Sequence, residues 1–442
     1  MSYLTDRRRF LKSTALTGVG VFVAGQAQAE DSKSPNERIR FACIGVGGKG
    51  SSDSGDAKRA GDVVAICDID DSTLEKAAEK SFPKAAKYND FRKMLDEIGK
   101  NVDAVTVSTP DHMHAPASAM AMRLGKACFT QKPLTRTIYE ARKLGEIARE
   151  MKVATQMGNQ GTASNSLRKT AALVRAGAVG NVAEVHVWTN RPIWPQGIDR
   201  PAPGTVPANV HWDLWLGPAP ERPYAPGYHP FAWRGWWDFG SGALGDMACH
   251  TVNMPFMALD LRDPVSVVAE TSGHNHDSYP KRSKITYEFP ANDQRPALVM
   301  VWYDGGNKPA PDLFDGEQVS DTGVLLIGDK GKLFAPGDYC EKGYKLLGGA
   351  TDQQVEFEKS PGHFEEFARA IRGEIPQARS NFADYAGPLT ETILLGNLAV
   401  WAAADADTPG KKIAWDAKSL KPTNAPECES VVTPAYREGY KL

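Results

Sequence analysis

The chain of 442 residues has no long hydrophobic run, no excess of charge of either sign and few cysteines. Its apolar stretch at residues 13–25 is too short, and too rich in Gly, Thr and Ser, to cross a bilayer. With 52 Lys+Arg against 54 Asp+Glu the formal net charge is −2, which argues against a nucleic-acid surface, because neutralising phosphates takes a basic excess. The six cysteines (Cys43, Cys67, Cys128, Cys249, Cys340, Cys428) form no CxxC pair and frame neither a metal site nor a disulfide scaffold. A hydrophobic fraction of 41% with 24% charged residues belongs to a folded globular chain and excludes disordered and coiled-coil classes. The length suits two compact domains.

The start of the chain carries a leader pattern. Arg7-Arg8-Arg9-Phe10-Leu11-Lys12, the short apolar run and Ala27-Gln28-Ala29 supply its basic, apolar and cleavage parts. Two adjacent arginines before Phe10-Leu11-Lys12 resemble the twin-arginine signal, so residues 1–29 are expected to send the protein through that export machinery to the periplasm or beyond. Residues 30–37 read as a linker.

Over residues 38–157 strands are expected at 39–46, 63–69, 103–108, 127–130 and 153–157, with helices at 72–80, 115–124 and 137–151. That alternation implies a parallel sheet covered on both faces, an α/β Rossmann domain. Over residues 158–423 strand-like runs dominate, around a stretch at 190–245 dense in Pro, Gly and Trp. Helical patterns close that region at 364–372 and 389–404. This reads as an α+β substrate domain on a large, open, mostly antiparallel sheet. Residues 424–442 form a C-terminal arm.

Gly45, Gly47 and Gly50 spell GxGxxG straight after a strand, with Gly48 and Lys49 between them. Such glycines allow a tight turn and let backbone approach a pyrophosphate at a helix N-terminus. Asp68 ends the second strand, eighteen positions after Gly50, where an acid binds a ribose hydroxyl. A carboxylate there repels a 2′-phosphate, so NAD is favoured over NADP, although Lys49 and Arg59 can soften that preference.

Three more segments carry chemistry. Ser108-Thr109-Pro110-Asp111-His112-Met113-His114 and Gln131-Lys132-Pro133 each follow a strand, and Asp246-Met247-Ala248-Cys249-His250 follows a glycine-rich lead-in. On a helix Asp246 and His250 share a face. An imidazole suits the base that takes a hydroxyl proton as hydride leaves. Lys132 would stabilise the developing alkoxide, and Asp246 would orient His250 or bind a neighbouring hydroxyl.

Together GVGGKG, STPDHMH, QKP and GALGDMACH resemble the Gfo/Idh/MocA oxidoreductases, in their exported twin-arginine branch. The resemblance implies that Lys132, Asp246 and His250 form the active site. It also places Ser108, Thr109, Pro110, His114 and Gln131 beside the cofactor, and makes a homo-dimer or homo-tetramer the default. One departure is visible: Gln131 stands where the family has glutamate, which removes a negative charge beside Lys132. His114 reads equally well as a residue capping the next helix.

Seven of the ten tryptophans fall between residues 188 and 237, interleaved with His and Tyr. Aromatic faces stack on sugars, but rings also fill cores, and at least half of these are expected to do so. His229, Trp233 and Arg234, with Asn159, are the candidate substrate contacts. The expected activity is hydride transfer from a secondary hydroxyl of a sugar, cyclitol or glycoside to NAD(P). The alternatives are redox-neutral glycoside cleavage with tightly bound NAD and a non-catalytic binding protein. Because free NAD is scarce outside the cytoplasm, an exported enzyme is expected to retain its cofactor.

Overall fold

Ile39–Ile44 (β1) is buried at all but one position, as a central strand covered on both faces must be. The computed structural model describes residues 38–442, so the leader and linker lie outside the described residues. Beside β1 run Gly61–Cys67 (β2), Ala86–Tyr88 (β3), Ala104–Val107 (β4), Ala127–Thr130 (β5) and Thr155–Met157 (β6). They form one sheet in the order β3-β2-β1-β4-β5-β6 with every neighbour parallel. The crossover helices are Gly48–Ala60 (α1), Asp71–Lys80 (α2), Phe91–Ile98 (α3), Asp111–Arg123 (α4) and Ile138–Met151 (α5). Strand order reverses between β1 and β4, which opens a crevice at the carboxyl ends of the strands.

Two boundaries differ from expectation for identifiable reasons. Helix α4 begins at Asp111 rather than near 115, because Pro110 serves as its N-cap and the helix accommodates Pro116. Helix α5 begins after Thr137, whose side chain and Glu140 form a reciprocal capping box.

The second sheet holds Val182–Trp188 (β7), Ser266–Thr271 (β8), Ser283–Phe289 (β9), Leu298–Tyr303 (β10), Gly323–Gly328 (β11), Gly331–Pro336 (β12), Lys345–Leu347 (β13), Ile413–Asp416 (β14) and Lys421–Pro422 (β15). Its order is β13-β12-β11-β7-β10-β9-β8-β14-β15, antiparallel throughout except between β7 and β10. The helices are Asn165–Arg175 (α6), Trp212–Leu216 (α7), Gly242–Thr251 (α8), Asn253–Leu259 (α9), His363–Ile371 (α10) and Gly387–Trp401 (α11).

The change of sheet falls near residue 158, but the core runs through it. Helix α10 returns to the parallel sheet, where Phe364 and Phe367 pack on Phe129 with ring centroids 5.1 and 5.8 Å apart. Helix α11 is mostly apolar and buried along nearly its whole length, as its place between α5, α8 and β8 requires. All six cysteines are buried free thiols. No helix among the described residues is long and apolar enough to cross a membrane.

The long insert between β7 and α8 is pinned to the end of β2. Asp70 and Val210 form a β-bridge, Asn209 donates to Asp70 Oδ1 at 2.8 Å, and His211 Nε2 lies 3.0 Å from Asp71 Oδ1. Its own core is aromatic: Trp212 stacks on Trp215 at 4.6 Å, and Tyr228 meets Trp236 edge-on at 5.2 Å.

Candidate active site

A cleft of about 570 Å³ opens at the switch point of the parallel sheet, lined among others by Gly45, Gly47, Gly48, Lys49, Asp68, Ser108, Thr109, Pro110, Gln131 and Lys132. The glycine loop fits a dinucleotide phosphate. A Cβ on Gly45, where φ is +78°, would lie 2.4 Å from the Ser108 carbonyl oxygen, and one on Gly50 would lie 2.1 Å from that of Gly45. A Cβ on Gly48 would instead meet nothing within 4 Å. Gly47 caps α1 without a side-chain hydrogen bond, so no side chain competes for the N–H groups of the first turn. Gly50 itself packs beneath the loop, off the cleft wall. Asp68 accepts from the backbone N–H groups of Val46 at 3.0 Å and Asp70 at 3.1 Å. Burial pushes this carboxyl up, against the downward pull of those N–H groups.

Asp53, on α1, was not singled out from the sequence and organises the cleft floor. Its buried carboxylate accepts from Lys49 Nζ at 2.6 Å, Ser108 Oγ at 2.8 Å and Gln131 Nε2 at 2.8 Å. This explains the amide at position 131: a glutamate there would set two buried carboxylates in hydrogen-bond contact. The Gln131 amide oxygen also accepts from the Lys132 backbone N–H at 3.2 Å, which ties Asp53 to the lysine. We expect Gln131→Glu to lower the melting temperature and Asp53→Asn, added to it, to restore the loss in a thermal-denaturation series.

Lys132 follows β5 and reaches across to α8. Its Nζ donates to Asp246 Oδ1 at 2.7 Å and to the Asp246 carbonyl oxygen at 3.0 Å. Arg234 Nε donates to the same carboxylate oxygen at 3.3 Å. Burial, the largest single influence, would lower the Lys132 pKa, but the charges of Asp246 and Cys249 and the hydrogen bond to Asp246 together outweigh it, and the net shift is upward. Burial likewise pushes Asp246 up, and Lys132 and Arg234 together bring it below the ordinary carboxylate value. The pair is therefore ionised, and Lys132 is a donor.

Asp246 makes no hydrogen bond to His250; it clamps Lys132 and Arg234 instead of orienting the imidazole. His250 lies on the same face of α8 and is 3% exposed. Burial, followed by the charge of Lys132, holds its pKa well below the ordinary value, so the ring is neutral. Its Nδ1 is buried without a partner, an unmet hydrogen bond of the kind a ligand satisfies. The ring of Tyr339, from the loop after β12, packs edge-on against the imidazole at 4.7 Å. No sequence pattern marks Tyr339.

The remaining candidates divide. His229, Trp233 and Arg234 line the cleft, and the Arg234 guanidinium stacks over Trp233 at 4.2 Å. Trp215 joins them on the wall, while Trp188, Trp236 and Trp237 are core, the last stacked on Tyr279 at 3.8 Å. Two candidates are corrected. His114 does not reach the cleft, since its ring nitrogens lie 2.8 Å from the Pro133 carbonyl and 2.9 Å from that of Thr109, fixing both loops from behind. Asn159 is fully buried and no part of the substrate wall: its amide oxygen accepts from Ser380 at 2.6 Å. Among the described residues no group of three or more His, Cys, Asp or Glu side chains is placed to hold a metal ion.

Comparison with known families decides the assignment. The description "Oxidoreductase family, NAD-binding Rossmann fold" matches residues 39–159, and "Oxidoreductase family, C-terminal alpha/beta domain" matches residues 165–442. The chain belongs to the Gfo/Idh/MocA oxidoreductase family. Its parallel-sheet domain is thus the NAD-binding Rossmann fold of such an oxidoreductase. The D-xylose 1-dehydrogenase (NADP(+)) of Haloarcula marismortui is 24% identical over 353 residues, which are 76% of this chain and 84% of that protein. A glycosyl hydrolase family 109 protein of Solibacter usitatus is 32% identical over 155 residues, 32% of this chain. That match spans 35% of the relative's own length. Among solved structures, the aldose-aldose oxidoreductase of Caulobacter crescentus complexed with glycerol superposes with a TM-score of 0.58 at 16% identity, covering 85% of this chain and all of that one (100%). The WlbA dehydrogenase of Bordetella pertussis, in complex with NADH and UDP-GlcNAcA, gives a TM-score of 0.57 at 16% identity, covering 85% and 98%. Both likenesses establish the shared fold.

Proposed function

We propose that this oxidoreductase transfers a hydride from a secondary hydroxyl of a sugar, cyclitol or glycoside, with Lys132, Asp246 and His250 grouped around the reacting carbon. The observation that carries this reading is the half-buried ammonium of Lys132, held by Asp246 at the β5 side of a dinucleotide cleft. Bound NAD supplies the hydride acceptor. The protein's part begins with Lys132, which donates to the substrate oxygen and stabilises the negative charge developing there. Asp246 fixes that ammonium, and the neutral His250 takes the hydroxyl proton. His229, Trp233 and Arg234 offer aromatic faces and a donor to a polyhydroxylated ring.

NAD is the proposed form. Asp68 lines the cleft and repels a 2′-phosphate, Lys49 is paired with Asp53, and Arg59 with Asp56. Export through the twin-arginine route, with NAD loaded beforehand and released slowly, is part of the same proposal. The family 109 relative supports a second reading, redox-neutral glycoside cleavage through transient oxidation.

A panel of sugars, cyclitols and aryl glycosides separates the two. Net formation of reduced nicotinamide with added NAD supports the first. Aglycone release without added NAD supports the second. Neither product across the panel contradicts both. The pH profile adds a sign. His250 must be neutral to accept a proton, and burial keeps it so below its ordinary pKa, near 6.5. We therefore expect kcat to hold level from about pH 8 down through about pH 6.5 and to fall at lower pH. A fall centred at the ordinary histidine value would count against His250 as the base.

A further inference from the structure

Of residues 433–442, the end of the C-terminal arm, to which the reaction assigns no role, Tyr440 reaches the cofactor cleft. In a sheet ordered β3-β2-β1-β4-β5-β6 with the pyrophosphate at the β1–α1 turn, the β2–β3 side takes the adenosine half of a dinucleotide. The β4–β5 side, where Lys132 sits, takes the nicotinamide. Tyr440 lines the cleft on the adenosine side, beside Asn89, Asp90 and Phe91.

The arm is tied down at three places. At the start of α3 the Arg92 guanidinium stacks over the Tyr440 ring at 4.5 Å, and its Nη1 donates to the Gly439 carbonyl at 3.4 Å. Arg437 donates to the Asp213 carboxylate at 2.6 Å, the Asp213 carbonyl at 2.7 Å and the Gly217 carbonyl at 3.0 Å, all on or next to α7. Tyr436 donates to Glu140 Oε1, on α5, at 2.5 Å. The bridge at Asp70 and Val210 brings the insert to the same end of the cleft.

We propose that Tyr440 is a cofactor-contacting residue, its ring closing the adenosine end of the cleft against the adenine of a bound dinucleotide, with Arg92 and Arg437 as positioning residues. This deepens the cofactor reading above and rests on it. A flat aromatic ring backed by a guanidinium suits a purine face. Because the arm is anchored to α3, α7 and α5, the adenosine half leaves only when the arm lets go, which gives slow release a structural basis.

The test uses full-length protein loaded with NADH, and separately with NADPH, with dissociation followed by nicotinamide fluorescence after a chase with excess oxidised cofactor. Melting temperatures of the dinucleotide-free proteins check the fold. For Tyr440→Ala we expect dissociation about tenfold faster, with Tyr440→Phe within about twofold of wild type, the size of one lost aromatic–base contact. Arg437→Ala should also release faster, since it frees the arm. Unchanged dissociation in Tyr440→Ala overturns the proposal and leaves the dinucleotide site intact. Faster release that merely tracks a fall in the melting temperature of the empty protein assigns the arm to folding and also overturns it. A wild-type chain that binds neither NADH nor NADPH overturns the cofactor reading and this proposal with it.

Discussion

Lys132→Met should lower kcat about a thousandfold, the scale of losing one preorganised donor to a developing oxyanion. The variant is informative because Asp246 is not left alone: Arg234 Nε already lies 3.3 Å from the same oxygen. Loss of activity therefore need not reflect a buried charge stripped of its partner, the usual way such substitutions unfold a core. Lys132→Arg sharpens the test. It keeps a cation beside Asp246, so the melting temperature should recover, but a planar fork cannot set a point charge at the same place. We expect kcat to stay depressed in Lys132→Arg. Full activity in either variant would remove Lys132 from the chemistry.

Gly50→Val should weaken dinucleotide binding by at least about a hundredfold, since the site depends on backbone approach that no side chain permits. The added Cβ would lie 2.1 Å from the Gly45 carbonyl oxygen and 3.2 Å from the Ser108 Cβ. Both neighbours are backbone or short side chains and have little room to yield. The glycine loop and the turn after β4 would have to part, and those two turns frame the pyrophosphate site. Gly55→Ala is the control in the same helix. A Cβ there meets only the end of Arg59, 3.8 Å away, and Ala favours the helix by about 0.5–1 kcal/mol. Fluorescence titration with NADH should separate the two: Gly55→Ala binds as wild type, and Gly50→Val does not. Tight binding by Gly50→Val would mean that the cofactor sits elsewhere.

Five of the six strands of the parallel sheet were legible as short runs, most of them apolar. The edge strand β3, a mostly exposed Ala-Lys-Tyr segment, carries no apolar signal and was missed. Local patterns likewise singled out Gly45, Asp68, Lys132, Asp246 and His250 as candidates. What stayed hidden depends on long-range contact. Asp53 sits in a Ser- and Asp-rich helix with no apolar period, and its role appears only when Ser108 and Gln131 fold onto it. Tyr339 comes from a loop of the second sheet and meets His250 through packing alone. The errors have a common cause. His114 and Asn159 are polar residues that satisfy buried backbone and side-chain groups, and nothing in their local sequence separates that duty from contact with a ligand. The expectation that Asp246 orients His250, one of two roles its spacing suggested, failed for a similar reason. Its spacing from His250 was readable, whereas the pull of Lys132 and Arg234 on its carboxylate was not.

The most direct test of the account is to load the wild-type protein and Lys132→Met with NAD, mix each with sugars, cyclitols and glycosides, and follow the fluorescence of bound reduced nicotinamide. The account predicts reduction by at least one carbohydrate in the wild type and its loss in Lys132→Met, with both proteins holding the cofactor equally. Reduction at the same rate in both would contradict it, because hydride would then be leaving a substrate that Lys132 does not touch.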